Sequence, residues 1–135
     1  MSCSNLDIIT NGYLVLTIID ENEVPTAEQA QLGLTVLNEF VANMEEDGVR
    51  FGWFPQTSLQ ATAPVRDADI RNLKLLFVAE LARRFGIDLS TERPDLAEEI
   101  DSAMRTQSKR SIEYFDSDLT GLPFAQGGLF GPGRV

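Results

Sequence analysis

Carboxylate pairs are what this sequence offers for acid–base chemistry, because it contains no histidine and a single cysteine, Cys3. That composition excludes the commonest general base, zinc sites built on thiolate and imidazole, and the usual nucleophilic triads. Residues one or two apart on a helix do not share a face, and none of the pairs has a recognisable hydrolase context. We therefore expect helix caps and solvated surface, with no catalytic residue and no enzyme activity. The pairs are Asp67 with Asp69, Glu98 with Glu99, and Asp116 with Asp118.

Two short motifs late in the chain match binding loops only in part. The stretch DSDLTGL, residues 116–122, contains a fragment of a calcium loop but no closing glutamate at the required distance. The stretch GGLFGPG, residues 127–133, is followed by no lysine and does not lie between a predicted strand and a helix, as a phosphate-binding loop must. We expect neither a metal nor a cofactor.

The charge balance argues against nucleic-acid binding. The 135 residues include 21 acidic and 11 basic side chains, a formal net charge of −10. A protein of that charge repels phosphate backbones on average. The sequence therefore predicts no specific contact with DNA or RNA.

The stretch GVRFGWFPQTS, residues 48–58, places Phe51, Trp53 and Phe54 within four positions. One cation, Arg50, is too little positive charge for a stacking groove on single strands. Large aromatic side chains instead fix a loop against a core or fill a neighbour's pocket. We expect Trp53 to be an anchor, and we keep both alternatives, the protein's own helices and a neighbouring subunit, for the three aromatics.

No segment suggests a membrane span. The longest mainly apolar stretches, residues 13–19 and 73–82, are well short of the roughly 20 residues that a span requires. Residues 2–6 lack the basic start of a secretory signal, and the single Cys3 cannot form an internal disulfide. We expect a protein made in a reducing cytoplasm, with no membrane partner and with an incidental thiol on a mobile terminus.

Helical periodicity dominates the middle of the chain. Thr26 and Gln29 form a capping box before a run of apolar residues at spacings of three and four, and Gly48 ends that helix. The acidic run of residues 45–47 is unfavourable at the negative end of the helix dipole, so we expect a solvated end. A second helix follows Pro64 and ends at Gly86. Because residues 75–79 are all apolar, this second helix is predicted to be central.

A third helix is predicted from about Ser90 or Thr91 to about Lys109, with Pro94 tolerated in its first turn. Its buried stripe is narrower than those of the other two helices, as is typical of a peripheral helix. The stripe consists of Leu96, Ala97, Ile100, Ala103, Met104 and Gln107.

The two ends of the chain leave alternatives open. Asn11 and Gly12 lie between apolar runs, a strong hairpin signal, yet residues 6–19 also show near-helical spacing. After Ser111 the chain is rich in glycine and proline but too apolar for a solvated tail, so an extended arm either docks on a partner or folds back on its own core. Its large apolar residues are Ile112, Tyr114, Phe115, Leu122, Phe124, Leu129 and Phe130.

Four stretches together resemble the head-to-tail connector proteins of tailed bacteriophages, specifically those similar to the podovirus tail accessory factor. They are DII at residues 7–9, PTAEQAQLGLTVLNEF at residues 25–40, DGVRFGW at residues 47–53, and LFVAELARRFGIDLSTERPDLAEEI at residues 76–100. The likeness covers about residues 7–110 and is a pattern of hydrophobic positions with a few fixed residues. It favours a helix over a hairpin for the first segment and leaves Asn11 and Gly12 unexplained.

The resemblance implies an all-α protein: a small bundle of about four helices over residues 1–110, with an extended carboxy-terminal arm over residues 111–135. It implies a head completion or adaptor protein of the virion neck, made in the host bacterial cytoplasm, that serves DNA packaging and ejection. The implied partners are the portal protein, neighbouring copies in a ring of typically twelve, a downstream tail or neck protein, and DNA passing through the channel without specific binding. The candidate interface residues are Phe51, Trp53, Phe54, Tyr114, Phe115, Phe124, Leu129 and Phe130.

A second hypothesis comes from a different class of protein. The charge of −10 and the lack of an active site also suit a small acidic phage-encoded regulator that mimics DNA or binds a host protein. The two hypotheses differ in whether the protein belongs to the particle.

Overall fold

The computed structural model describes residues 3–120 of the chain, and their side chains as far as Ile112. Five helices follow one another in this part, and it contains no strand, only an isolated antiparallel bridge between Ser4 and Thr62. The prediction of an all-α bundle is therefore confirmed. The helices are α1 (Asn5–Val15), α2 (Ala27–Glu46), α3 (Asp67–Arg84), α4 (Leu89–Glu92) and α5 (Pro94–Thr120).

Helix α3 is the centre of the bundle, as its nearly continuous apolar run predicts. It packs against α1, α2 and α5. Leu73, Phe77 and Leu81, at spacings of four, are completely buried. A helix that is apolar on most sides has to be covered on most sides, and three neighbours meet that requirement.

Helix α1 settles the alternatives for the first segment in favour of a helix. Ser4 and Asp7 form a capping box at its start, and it continues without a break through Asn11 and Gly12. Gly12 is required for a close approach to α3, since a Cβ there would lie 2.6 Å from Leu81 Cδ1. The turn comes later, at Thr17, whose φ of 56° lies in the left-handed region. The Asn-Gly pair is thus a packing feature, not a hairpin turn.

The ends of α2 and α3 agree with the local signals in the sequence. Thr26 and Gln29 form the predicted capping box of α2, with both reciprocal hydrogen bonds present. Gly48 and Gly86 follow the two helices with φ of 92° and 74°, a conformation that glycine adopts without strain.

Helix α5 departs from the prediction at both ends. The predicted third helix is divided at Arg93, so that residues 89–92 form the one-turn α4 and Pro94 begins α5. The helix then continues to Thr120, so that ten residues of the predicted extended arm, 111–120, are helical. The prediction of an extended arm was therefore wrong for residues 111–120, because the glycines that would stop a helix begin only at Gly121. Residues 121–135 lie outside the described part of the chain.

The start of α1 is paired with the segment that precedes α3. The main-chain N–H groups of Asn5 and Leu6 donate to the carbonyl oxygens of Ala61 and Leu59, at 3.0 and 2.9 Å. Ala63 N–H donates to the carbonyl of Cys3 at 2.8 Å. These bonds satisfy amides that a helix start leaves unpaired. They also hold Cys3 in the core at 9% exposure, so the expectation of a mobile thiol was wrong.

Candidate functional site

The aromatic loop, residues 48–58, lies between α2 and α3 and has no regular secondary structure. Gly48 and Gly52 have φ of 92° and 77°, so the chain turns at both glycines as the sequence suggested. The loop carries three of the eight residues that were predicted to form an interface, and these three differ in how far they are buried.

Phe51 is buried in the core at 3% exposure. Trp53 is partly buried against the same core, and its indole Nε1 donates to Asn38 Oδ1 at 3.1 Å. Phe54 is 62% exposed. The structure therefore places Phe51 and Trp53 on the protein's own helices, confirms Trp53 as an anchor, and leaves Phe54 as an aromatic side chain presented to solvent.

Asn38 of α2 holds the second half of the loop. Its Nδ2 donates to the main-chain carbonyl of Gln56 at 2.8 Å, and its Oδ1 accepts the Gln56 N–H at 2.9 Å. The same oxygen accepts the Trp53 indole N–H. One amide side chain thus pairs with both main-chain groups of Gln56, as a neighbouring strand would.

Glu45, in the last turn of α2, holds the first half of the loop. Its Oε2 accepts the main-chain N–H of Trp53 at 2.9 Å and that of Phe51 at 3.4 Å. The expectation of a solvated acidic run at residues 45–47 fits Glu46 and Asp47, which are exposed. For Glu45 it was wrong, because the carboxylate is used to fix the loop rather than to complement the helix dipole.

Two buried polar networks complete the attachment of the loop. In the first, which we call the α1 network, Asn5 Nδ2 donates to Gln56 Oε1 at 3.0 Å and to the carbonyl of Ser58 at 2.8 Å. Gln56 Nε2 donates in turn to the carbonyl of Phe54 at 2.9 Å. Asn5 is completely buried, and its Oδ1 has no hydrogen-bond partner. Together with Asn38, these residues secure the Gln56 end of the loop.

The second network, which we call the α5 network, secures the Arg50 end. Asn72 of α3 donates to Gln107 Oε1 at 3.0 Å, and Gln107 Nε2 donates to the carbonyl of Arg50 at 2.8 Å. Ser111 Oγ accepts the Arg50 N–H at 2.7 Å and donates to the carbonyl of Gln107. Gln107 is completely buried. Both main-chain groups of Arg50 are thus held by α5.

A second surface, which we call the Met groove, lies among α2, α3 and α5 and encloses about 380 Å³. Met104 is 38% exposed there, although its place in the predicted stripe of α5 suggested burial. The groove has an apolar floor and an acidic rim. The floor includes Phe40, Met44, Leu76, Ile100 and Met104, and the rim includes Asp47, Glu80 and Asp101.

Glu80 on the rim remains ionised at neutral pH. Its burial opposes ionisation, but hydrogen bonds from Arg83 and Arg84 outweigh that cost and lower the pKa of the Glu80 carboxyl. Arg84 also pairs with Glu39 of α2 at 3.0 Å. One ion pair therefore joins α2 and α3 beside the Met groove, and two more lie within α3.

A second groove, of about 530 Å³, lies on the opposite side of α3, between α1 and the start of α5. Asn11, Val15 and Lys74 line it, and an ion pair of 3.1 Å between Arg71 and Glu99 crosses its edge. Cys3 interacts with Lys74, but its burial dominates and raises the pKa of the thiol. The thiol is therefore protonated near neutral pH, and a protonated thiol is a poor nucleophile.

Of the three carboxylate pairs, the structure describes the side chains of two, Asp67 with Asp69 and Glu98 with Glu99. Asp69 is 1% exposed and accepts a hydrogen bond from Arg110 of α5 at 2.9 Å, so the expectation of a solvated cap was wrong for this residue. Among residues 3–120 no three His, Cys, Asp or Glu side chains lie close enough together to hold a metal ion. The side chains of Asp116 and Asp118 lie beyond those that are described.

The remaining predicted interface residues stay predictions. Tyr114 and Phe115 belong to the last turns of α5, and their side chains are not among those described. Phe124, Leu129 and Phe130 lie outside the described residues. Among the three predicted interface residues whose side chains are described, Phe51, Trp53 and Phe54, it is Phe54 that is exposed.

Comparisons with known proteins add no relative. Neither the protein-family models, nor the curated proteins, nor the solved structures include a match to this chain. None of the helices in residues 3–120 is long and apolar enough to cross a membrane.

Proposed function

We propose that the protein is a structural component of a bacteriophage virion, a head-to-tail connector that forms a ring beneath the portal and extends the DNA channel. The observation that carries the proposal is the aromatic loop, whose residues 48–53 fall in the connector-like stretch at residues 47–53 and which presents Phe54 directly after it. Four separate attachments, through Asn5, Asn38, Glu45 and Gln107, fix a loop that exposes the aromatic side chain of Phe54. Rigid display of an exposed aromatic residue is typical of a protein–protein contact.

The helical architecture supports the same proposal. The four connector-like stretches fall on consecutive parts of the bundle, namely α1, α2, the aromatic loop, and the segment from α3 into α5. In a ring of typically twelve such chains, each carrying a net charge of −10, an acidic channel wall would let DNA slide without adhering. The protein acts in this proposal by assembly, without turnover.

Reconstitution with the portal tests the proposal directly. The purified full chain is mixed with the portal protein of the same phage, and the mass of the complex is measured by native mass spectrometry. We expect a ring complex with a fixed copy number of this chain. A mixture in which both proteins keep their separate masses would contradict the proposal.

A regulator that mimics DNA remains the second candidate, and the exposed acidic residues Asp20, Glu21 and Glu23 on the α1–α2 turn are the observation that favours it. The two proposals differ in location. Proteomics of purified particles would find the connector at about portal copy number, whereas the regulator would be present in infected cells and missing from the particles.

A further inference from the structure

We propose that Phe54 of one copy inserts into the Met groove of a neighbouring copy, forming the repeated head-to-tail contact of the ring. This inference deepens the proposed function and rests on it for the ring itself. Phe54 is 62% exposed on a fixed loop, and the Met groove is an apolar cleft of about 380 Å³ on the same chain. A projecting side chain and a cleft of matching chemistry define the two halves of one interface.

The projection and the cleft lie on opposite sides of α2. Asn38 and Glu45 hold the aromatic loop, whereas Phe40 and Met44 line the groove. At 3.6 residues per turn, these two pairs lie on faces well over 100° apart around the helix axis. Phe54 therefore cannot be expected to reach the groove of its own chain, and a contact between two such surfaces is heterologous. Repetition of a heterologous contact gives a ring if the rotation closes.

The chemistry of the groove suits an aromatic side chain. Met44 and Met104 line it, and thioether sulfur makes favourable contacts with the edges of aromatic rings. Met104 is 38% exposed, so a partner would remove part of its surface from water together with that of Phe54. Aromatic side chains that fill such pockets dominate the energetics of many interfaces.

The charges around the two surfaces are complementary. The aromatic loop, residues 48–58, contains one cation, Arg50, and no acidic residue, in a chain with 21 acids. The groove is lined by Asp47, Glu80 and Asp101 and by the cation Arg83. Because Glu80 is paired with Arg83 and Arg84, Asp47 and Asp101 give the rim its negative charge. This difference favours a second copy as the occupant, because each copy supplies both the cationic loop and the acidic rim. It also opposes contacts between two loops or between two grooves.

Paired variants test the contact through complementation. Phe54→Asp removes the projection and leaves the groove, while Met104→Glu closes the groove and leaves the projection. Each variant alone should associate at least about 30-fold more weakly than the wild type, the change expected of an interface hot spot of about 2 kcal/mol. Mixed together, the two variants should form a 1:1 dimer that does not grow, because one intact projection meets one intact groove. Analytical ultracentrifugation of the full-length chains, alone and with the portal, measures both results.

A matched control separates the contact from general surface effects. Val24 is 80% exposed on the α1–α2 turn, so Val24→Asp makes the same kind of change elsewhere on the surface and should assemble like the wild type. Circular dichroism and thermal melting check that all three variants fold. If Phe54→Asp or Met104→Glu assembles like the wild type, the inference is overturned.

Photo-crosslinking gives an independent readout. A benzophenone amino acid replaces Phe54, and unlabelled chains are mixed with ¹⁵N-labelled chains, both at high concentration and on the portal. We expect cross-linked peptides that join position 54 of one copy to Met44 or Met104 of another. Cross-links to residues 121–135, to the portal or within one chain, or no intermolecular cross-link at all, would overturn the proposed contact.

The outcomes also separate this inference from the proposed function. If wild type and variants form the same complex with the portal, the Phe54 contact fails and the connector stands. If the wild type does not assemble on the portal, the connector proposal fails, and the cross-links formed at high concentration still decide whether the self-contact exists.

Discussion

At the Arg50 end of the aromatic loop, the α5 network pairs Asn72, Gln107 and Ser111 with one another or with the main chain. At the Gln56 end, the α1 network holds the loop as firmly but leaves Asn5 Oδ1 buried without a partner. Both networks attach the aromatic loop to the helices, but they differ in how completely their polar groups are hydrogen-bonded. Because an unpaired buried polar atom costs free energy, the α1 network begins from a less favourable native state.

The difference has a consequence for how each network responds to substitution. In the α5 network, removal of one member leaves its former partners buried and unpaired. In the α1 network, replacement of Asn5 also removes an atom that is already unpaired. The α5 network should therefore be the more sensitive of the two.

The largest effect is expected for Gln107→Met, which preserves the length of the side chain. The change leaves the Asn72 amide without its partner and the Arg50 carbonyl with only the longer hydrogen bond from Ser111, and should lower the free energy of unfolding by about 3 kcal/mol. Denaturant unfolding followed by Trp53 fluorescence measures it. Gln31→Met on the exposed face of α2 is the control and should change stability by less than about 0.5 kcal/mol. A loss of under 1 kcal/mol for Gln107→Met would show that the α5 network contributes little.

Asn5→Leu should lower the free energy of unfolding by roughly 1 to 2 kcal/mol, about half of the effect expected for Gln107→Met. The substitution removes the two hydrogen bonds of Nδ2, but it also removes the unpaired Oδ1, whose burial is unfavourable. The same denaturant titration measures the free energy of unfolding. The comparison between the networks would be wrong if Asn5→Leu proved as destabilising as Gln107→Met.

Glu45→Ala should lower the free energy of unfolding by about 1 kcal/mol and should act mainly on the loop. The cost is small because water can replace part of the hydrogen bonding that the half-buried carboxylate gives to the loop amides. Hydrogen exchange at the amides of Phe51 and Trp53 should become about fivefold faster, while amides in the middle of α3 keep their protection. Glu46→Ala, on the neighbouring exposed residue, is the matched control and should leave these rates unchanged. Equal exchange rates in the two variants would remove Glu45 from the attachment of the loop.

The smallest effect is expected for Phe54→Asp, which should change the free energy of unfolding by less than about 0.5 kcal/mol, because Phe54 contributes little to the core. Thermal melting of the isolated protein measures it. A substantial drop in melting temperature would place Phe54 among the structural residues of the loop, with Phe51 and Trp53.

Local signals in the sequence predicted much of the bundle. The capping box of Thr26 and Gln29 and the glycines at 48 and 86 act within a few residues, and each was confirmed. Asn11 and Gly12 wrongly indicated a hairpin, because Gly12 serves a tertiary contact: it is needed where α1 approaches Leu81 of α3. The local hairpin signal contains no information about a contact so far along the chain.

The candidate site was less predictable, because its contacts join distant parts of the sequence. Gln107 was assigned correctly to the buried stripe of α5, but its partner Arg50 is 57 residues away. Glu45 and Asp69 were assigned to solvent because an acidic side chain usually lies there. The signal in the sequence that singles out Glu45 is its unfavourable position at the negative end of α2. The hydrogen bonds that account for this position are visible only in the structure.

The pairing of Asn5 and Leu6 with Ala61 and Leu59 also determines the order in which a growing chain acquires structure. Helix α1 is synthesised before its hydrogen-bond partners, which are translated more than fifty residues later, and before α3, which covers part of it. Helix α2, which also packs against α1, is made in between. At about 5 to 20 residues per second, the surface of α1 that α3 covers stays open for seconds on the ribosome. The contacts that complete the bundle around α1 therefore form only after residues 67–84 have been made.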